Sequence, residues 1–177
     1  MVAASQGGSG PVGDPLKEPW RQLYRYWQSK HVDGRPPGRG DIDPITEIPR
    51  LVANLMMIDS VGDDFVYRFI GTEVVSQTGE DMTGQSAGLS RKYASIRPTW
   101  MAALEAVRTS RQPRLLIYRF GGRSSDARQS VLLLPLHAEP GAVFKMLVGA
   151  FPDGDVPQGL TIEGVTGVVE TIGLRST

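Results

Sequence analysis

The sequence predicts a single α+β domain built on an antiparallel sheet, and three observations carry that prediction. Short apolar runs bounded by Gly, Pro or Asp have the length and composition of strands. Their order is two strands, several short helices, then three strands, and this segregation argues against a doubly wound nucleotide fold. Hydrophobic residues make up 40% of the chain and charged residues 21%, so 177 residues can bury one core but would be cramped as two full domains.

Positions 1–15, rich in Gly, Ser and Pro, bury too little apolar surface to offset the entropy of ordering and read as a flexible tail. From Leu16 the pattern changes. Leu16, Trp20, Leu23, Tyr24, Trp27 and His31 recur at spacings of three and four, which lines them along one side of a docked helix. Trp20, Tyr24 and Trp27 on that stripe are candidates for core packing or for a dimer interface. The following stretch, VDGRPPGRGDIDPITEIPRL, excludes regular structure until Asp43 can cap a short helix, with Pro44 at its first position and Pro49 ending it near Ile48. Arg39, Asp41 and Asp43 form a compact charged cluster there, read as a loop of caps and ion pairs.

NLMMIDSV (54–61), the turn VGDD and FVYRFIG read as an antiparallel hairpin. Strict alternation along the second strand puts Phe65, Tyr67 and Phe69 on one face and Val66, Arg68 and Ile70 on the other. TEVVSQTG is then a short amphipathic helix, EDMTGQSAG a turn region and TWMAALEAVRTS a better helix. PRLLIYRFGG, RQSVLLLPLH and VFKMLVGAF are spaced as a strand meander ending by residue 152. The 153–177 extension reads as either a short strand or a helix and is too short to be an output domain.

Charge and composition exclude several functions. Lys plus Arg (19) balances Asp plus Glu (19), so no global field draws in nucleic acid or an acidic membrane. The absence of cysteine excludes disulfides, thiolate metal sites, thiol nucleophiles and covalent flavin or chromophore adducts. His31 and His137 are distant from each other, and neither sits where a haem ligand would be expected, so the expectation is no haem and no other cofactor. No apolar run approaches the roughly 20 residues that cross a bilayer. The N-terminus lacks the basic and apolar regions of a leader, and the chain reads as cytoplasmic.

Gly71, Gly79 and Gly84 raise the question of a phosphate loop, but their spacing fits neither a dinucleotide fingerprint nor a P-loop, and no Gly-Lys-Ser/Thr follows. They read as punctuation that ends a strand, a helix and a turn. A short helix closing on Thr78-Gly79, an acidic turn through Asp81, then Thr83-Gly84-Gln85 resembles a segment of PAS domains. YWQSKHVDGRPPGRGDIDP, LVANLMMIDS and YRFIGTEVVSQTGEDMTGQ together resemble one family of small bacterial PAS-like proteins over roughly Leu16 to Phe151. Gly38 departs from that pattern, standing before Arg39 in place of a small polar residue. The resemblance implies a five-stranded antiparallel sheet with helices over one face, enclosing a cavity used to sense a ligand or to signal to a partner.

Candidate ligand contacts are Tyr67, Arg68, Tyr93, Trp100, Met101, Tyr118 and Phe120, large groups on strands and on the helices that would cover them. A guanidinium on an otherwise apolar strand must be paired or bind an anion, and Arg68 is expected to pair with Asp81 or Glu73. The leading functional expectation is a stand-alone sensor or protein-interaction module that binds a small molecule non-covalently, or no ligand, and acts on a protein partner in trans. A cofactor-free isomerase or lyase using Asp59 or Asp81 as a buried base, and a structural homodimer built on the Trp20–Trp27 stripe, are the alternatives.

Overall fold

The computed structural model describes residues 19–89, 94, 96–119, 128–153 and 166–170. Strands β1 (Leu55–Val61), β2 (Asp64–Ile70), β3 (Arg114–Arg119), β4 (Arg128–Pro135), β5 (Lys145–Asp153) and β6 (Thr166–Glu170) form one sheet in the order β2-β1-β5-β4-β3-β6. Every pairing is antiparallel. The expected five strands form the body of the sheet, and β6, from the segment left open between strand and helix, adds a sixth along the free edge of β3. The tail expected at positions 1–15 lies outside the described residues.

Helices α1 (Pro19–Ser29), α2 (Pro44–Glu47), α3 (Thr72–Thr78) and α4 (Arg97–Ser110) complete the described α structure. Contrary to the expectation of helices over one face, both faces are covered. On the front face, Val74 of α3 and Trp100, Ala103, Leu104 and Val107 of α4 close over Ile58, Leu116, Val131, Leu133 and Val148. On the back face, Trp20, Leu23, Tyr26 and Trp27 of α1 close over Leu115, Leu132, Leu134, Leu147 and Phe151. The cause is in the central strands: Val131-Leu132-Leu133-Leu134 and Met146-Leu147-Val148 are apolar at consecutive positions, so a strand's alternation sends hydrophobic side chains both ways.

Helix α1 can approach the sheet closely because β5 carries Gly149 beneath it. A Cβ there would stand 2.5 Å from both Leu23 Cδ2 and the Phe151 ring. The helix is also pinned at its C-terminal end: Trp27 Nε1 donates to the carbonyl of Pro135 at 3.0 Å, within the buried core. The Tyr26 hydroxyl donates to Glu47 Oε2 at 2.6 Å and accepts from the Asp43 N–H at 2.9 Å, and Lys30 pairs with the other Glu47 oxygen. These bonds tie α1 to the loop before β1, whose start is held against β4 by the His137 N–H donating to the Pro37 carbonyl at 2.8 Å.

The β1–β2 hairpin contains a feature that alternation did not anticipate. Met57 faces Phe69 and Ile58 faces Tyr67, so Arg68 is an extra residue, a β-bulge. Beyond it the two faces exchange. Ile70, not Phe69, joins Phe65 and Tyr67 on the front core, and Phe69 turns outward with 41% of its surface exposed. The outer edge of β2 is covered by the glycine-containing turn: Gly84 donates to the Tyr67 carbonyl (2.7 Å), Tyr67 to that of Gln85 (3.1 Å) and Ala87 to that of Phe65 (2.7 Å). Gly79 (φ 68°) and Gly84 (φ 82°) adopt the left-handed conformation this path needs. Gly71 serves a different end, since a Cβ there would fall 2.3 Å from the Ala53 carbonyl oxygen.

Two predictions follow from this packing. Gly149→Ala forces a methyl against Leu23 and lowers stability by about 1–3 kcal/mol; because Leu23→Ala empties the same space, the double variant loses less than the sum of the single changes in denaturant unfolding. The Lys30 ammonium and the Tyr26 hydroxyl hold the Glu47 carboxyl at about 2, against an ordinary value of 4.5. A carboxyl depressed on folding stabilises above its unfolded value and loses that contribution as the pH falls toward its folded one. The difference in thermal midpoint between wild type and Glu47→Gln is therefore expected to be constant near neutrality and to shrink between about pH 5 and pH 2.

Candidate functional site

The front face gathers several of the aromatic and polar groups singled out in the sequence. Proline at the start of α4 pre-sets the first turn, and the helix then presents Trp100, Ala103, Leu104 and Val107 inward at the spacing of one face. Trp100 Nε1 donates to the hydroxyl of Tyr67 on β2 at 3.0 Å, joining helix to sheet through a partly buried polar contact. Met101 packs at the margin of the same core, beside Gly88. Tyr118 projects from β3 into that core with only 4% of its surface exposed.

The Tyr118 hydroxyl meets no hydrogen-bond partner among the described residues. Burial, with Tyr67 adding to it, pushes its ionisation well above the usual phenol range, so it stays a neutral O–H. Its cross-strand neighbour on β4 is Gln129, whose amide donates to Gln77 Oε1 on α3 at 2.8 Å. Gln77 and Gln129 were not singled out in the sequence. The signal was there for Gln129, which shares strand parity with the front-facing Val131 and Leu133.

Arg68 departs from this group. It does not pair with Asp81 or Glu73; its Nε donates to Asp59 Oδ2 at 2.9 Å. Asp59 stands on the back face, two positions from Met57, and its other oxygen accepts from Lys145 on β5 at 2.8 Å. The bulge and the strand register bring all three together, whereas the loop acids only lie nearer along the chain. The front site thus contains Tyr67, Trp100, Met101 and Tyr118 without Arg68, and the candidates Tyr93 and Phe120 lie outside the described residues.

The carboxylates proposed as catalytic bases are otherwise employed. Asp59, 5% exposed, has both oxygens engaged by cations. Asp81 is exposed and accepts from the Thr83 N–H at 3.0 Å, and the Thr83 hydroxyl and N–H hold its carboxyl below the ordinary range, opposite to the raised value a base needs. The interface candidates are likewise placed inside the chain: Trp20 and Trp27 are buried in the back core, and Tyr24 lies half-buried with its ring 5.8 Å from that of Trp27. Of the two readings of the stripe, core packing is the one these residues serve within the chain. In the charged loop, Asp41 accepts from the Gly38 N–H, Arg39 donates to the Ile42 carbonyl, and Asp43 accepts from the Thr46 N–H.

Among the described residues no three His, Asp or Glu side chains are grouped to hold a metal, and no helix is long and apolar enough to cross a membrane.

The geometry around Asp59 predicts unequal costs. The Arg68 side chain is 50% exposed and that of Lys145 32%, so removing either one leaves the carboxylate paired and costs about 0–1 kcal/mol after solvent screening. The Arg68→Ala/Lys145→Ala double variant strands a buried charge, and its loss in denaturant unfolding is expected to exceed the sum of the single losses and to approach about 3 kcal/mol.

No curated protein matches the chain at a significant level. The family model described as PAS domain matches residues 16–151, spanning α1 through the described front and back cores to β5. With that match covering most of the chain, and with a helix-covered antiparallel sheet bearing buried polar groups on its front face, the protein belongs to the PAS domain family.

Proposed function

We propose that this chain is a sensory and interaction module that binds a small molecule non-covalently beneath α4 and passes the occupied state to a separate protein partner. A PAS domain points to sensing or interaction at the coarse level. The finer reading rests on one observation: the Tyr118 hydroxyl is buried in the front core without a partner among the described residues, next in register to Gln129 and in the same core as the Trp100–Tyr67 bond. A buried hydroxyl left unmet costs free energy, and an occupant that meets it would recover that cost. The chain has no cysteine, so the attachment is non-covalent with respect to thiols.

Catalysis is the weaker reading, because a carboxylate base would have to be Asp59 or Asp81, and neither faces the front site unpaired. A route for the signal lies in β3, which carries Tyr118 and pairs on its other side with β6, where Tyr118 stands opposite Gly167. A change at Tyr118 is therefore one strand away from the edge of the sheet.

Native mass spectrometry of the full chain tests the small-molecule part of this reading. The expected result is an adduct that survives gentle desolvation and is lost on denaturation, with lower occupancy in Trp100→Ala, which removes the roof contact to Tyr67. A bare polypeptide mass in every preparation, together with no thermal stabilisation by any compound of a chemically varied library, would overturn it and leave protein interaction as the function.

A further inference from the structure

We infer that the molecule taken up beneath α4 is uncharged and mostly apolar, and carries an oxygen acceptor, of the carbonyl kind, that receives the hydrogen bond of the Tyr118 hydroxyl. This deepens the sensory reading above and rests on it. A phenol carries one O–H donor beside its acceptor lone pairs, and a buried unmet phenol has that donor to place on an acceptor. Trp100 Nε1 already donates to Tyr67, so the polar contact between roof and sheet is made without using Tyr118. Gln129, the neighbour of Tyr118 on β4, directs its amide N–H to Gln77, and the β6 neighbour is a glycine that brings no side chain to the hydroxyl.

The surrounding core is largely hydrocarbon: Leu104 and Val107 from α4, and Leu116 and Val131 from the sheet, belong to the same cluster as Tyr118. An ionised carboxylate in such surroundings would need a cation, and among the described side chains those near this core are committed or distant. Arg68 serves Asp59 on the opposite face, Arg108 serves Glu105 and the Gly62 carbonyl, and Arg97, one turn before Trp100, is engaged within the chain. Arg114 shares the strand face of Tyr118, and its Nε is likewise buried and unmet among the described residues, but it stands four residues away, about 13 Å along β3. A neutral ketone, ester or amide oxygen satisfies the hydroxyl without placing a charge in hydrocarbon.

Three probes of similar size, titrated into the full chain and followed by NMR chemical shifts, test this: acetophenone, isopropylbenzene, in which a methyl stands for the oxygen, and benzoate. Each is measured against wild type and Tyr118→Phe. The expected result is that Tyr118→Phe shifts the affinity ratio of acetophenone to isopropylbenzene toward the hydrocarbon by about five- to tenfold, the worth of one hydrogen bond. Benzoate is expected to bind wild type more weakly than acetophenone does. Without ligand, Tyr118→Phe is expected to be at least as stable as wild type, because the hydroxyl it removes has no internal bond to lose. An unchanged ratio, tighter binding of benzoate, or a clear loss of stability in unliganded Tyr118→Phe each overturns the inference while leaving a small-molecule site standing. Binding of none of the three probes to wild type overturns the inference, whereas the small-molecule reading falls only with the mass-spectrometry and library outcomes above.

Discussion

The architecture depends on a sheet whose central strands are apolar on both faces. Leu132, Leu133 and Leu134 follow one another on β4, and Met146, Leu147 and Val148 do so on β5, so neither face can be left to water. Two coverings are therefore required. The local helix α4 with α3 supplies one, and α1, brought back from the start of the chain, supplies the other. Gly149 lets Leu23 settle close to β5, and the Trp27 indole N–H finds the Pro135 carbonyl, so the second covering is held by shape and by one buried hydrogen bond.

The division of labour between the faces follows from that arrangement. The back core holds both indoles of α1 and carries the Asp59 pair of cations at its margin, where the charges are partly solvated. The front core contains Tyr67, Trp100 and Tyr118, and among the described residues the bonding there is incomplete: Tyr67 is tied to Trp100 while the hydroxyl of Tyr118 is left over. Buried hydrogen-bonding groups are ordinarily met, so an unmet one marks the place where something outside the chain can add free energy. Alternation from Tyr67 already directs the cation to the back, and the bulge at Arg68 then brings Ile70 to the front.

The glycines of the β2–α3 region serve as backbone devices. Gly79 and Gly84 turn the chain so that residues 84–87 run along the outer edge of β2 and consume its free backbone groups. Gly71 allows the β2–α3 junction to pass against the backbone of Ala53.

What the sequence determined by itself was everything governed by near neighbours along the chain. The helices, the hairpin, the meander, the Asp43 cap with Pro44 behind it, and the left-handed Gly79 are all legible because propensity, periodicity and capping act over a few residues. Tyr67, Trp100, Met101 and Tyr118 were visible as large groups on the right elements for the same reason. Tertiary structure alone decided the rest. A bulge depends on how two strands align, and a single extra residue reversed the faces of Phe69 and Ile70. The partner of Arg68 was chosen by register across β2, β1 and β5, not by nearness in sequence, and the need for Gly149 arose from a helix more than a hundred residues earlier. That the Tyr118 hydroxyl goes unmet among the described residues is likewise a property of the assembled core, since a hydrogen bond is satisfied or left open only once the surrounding groups have taken their places.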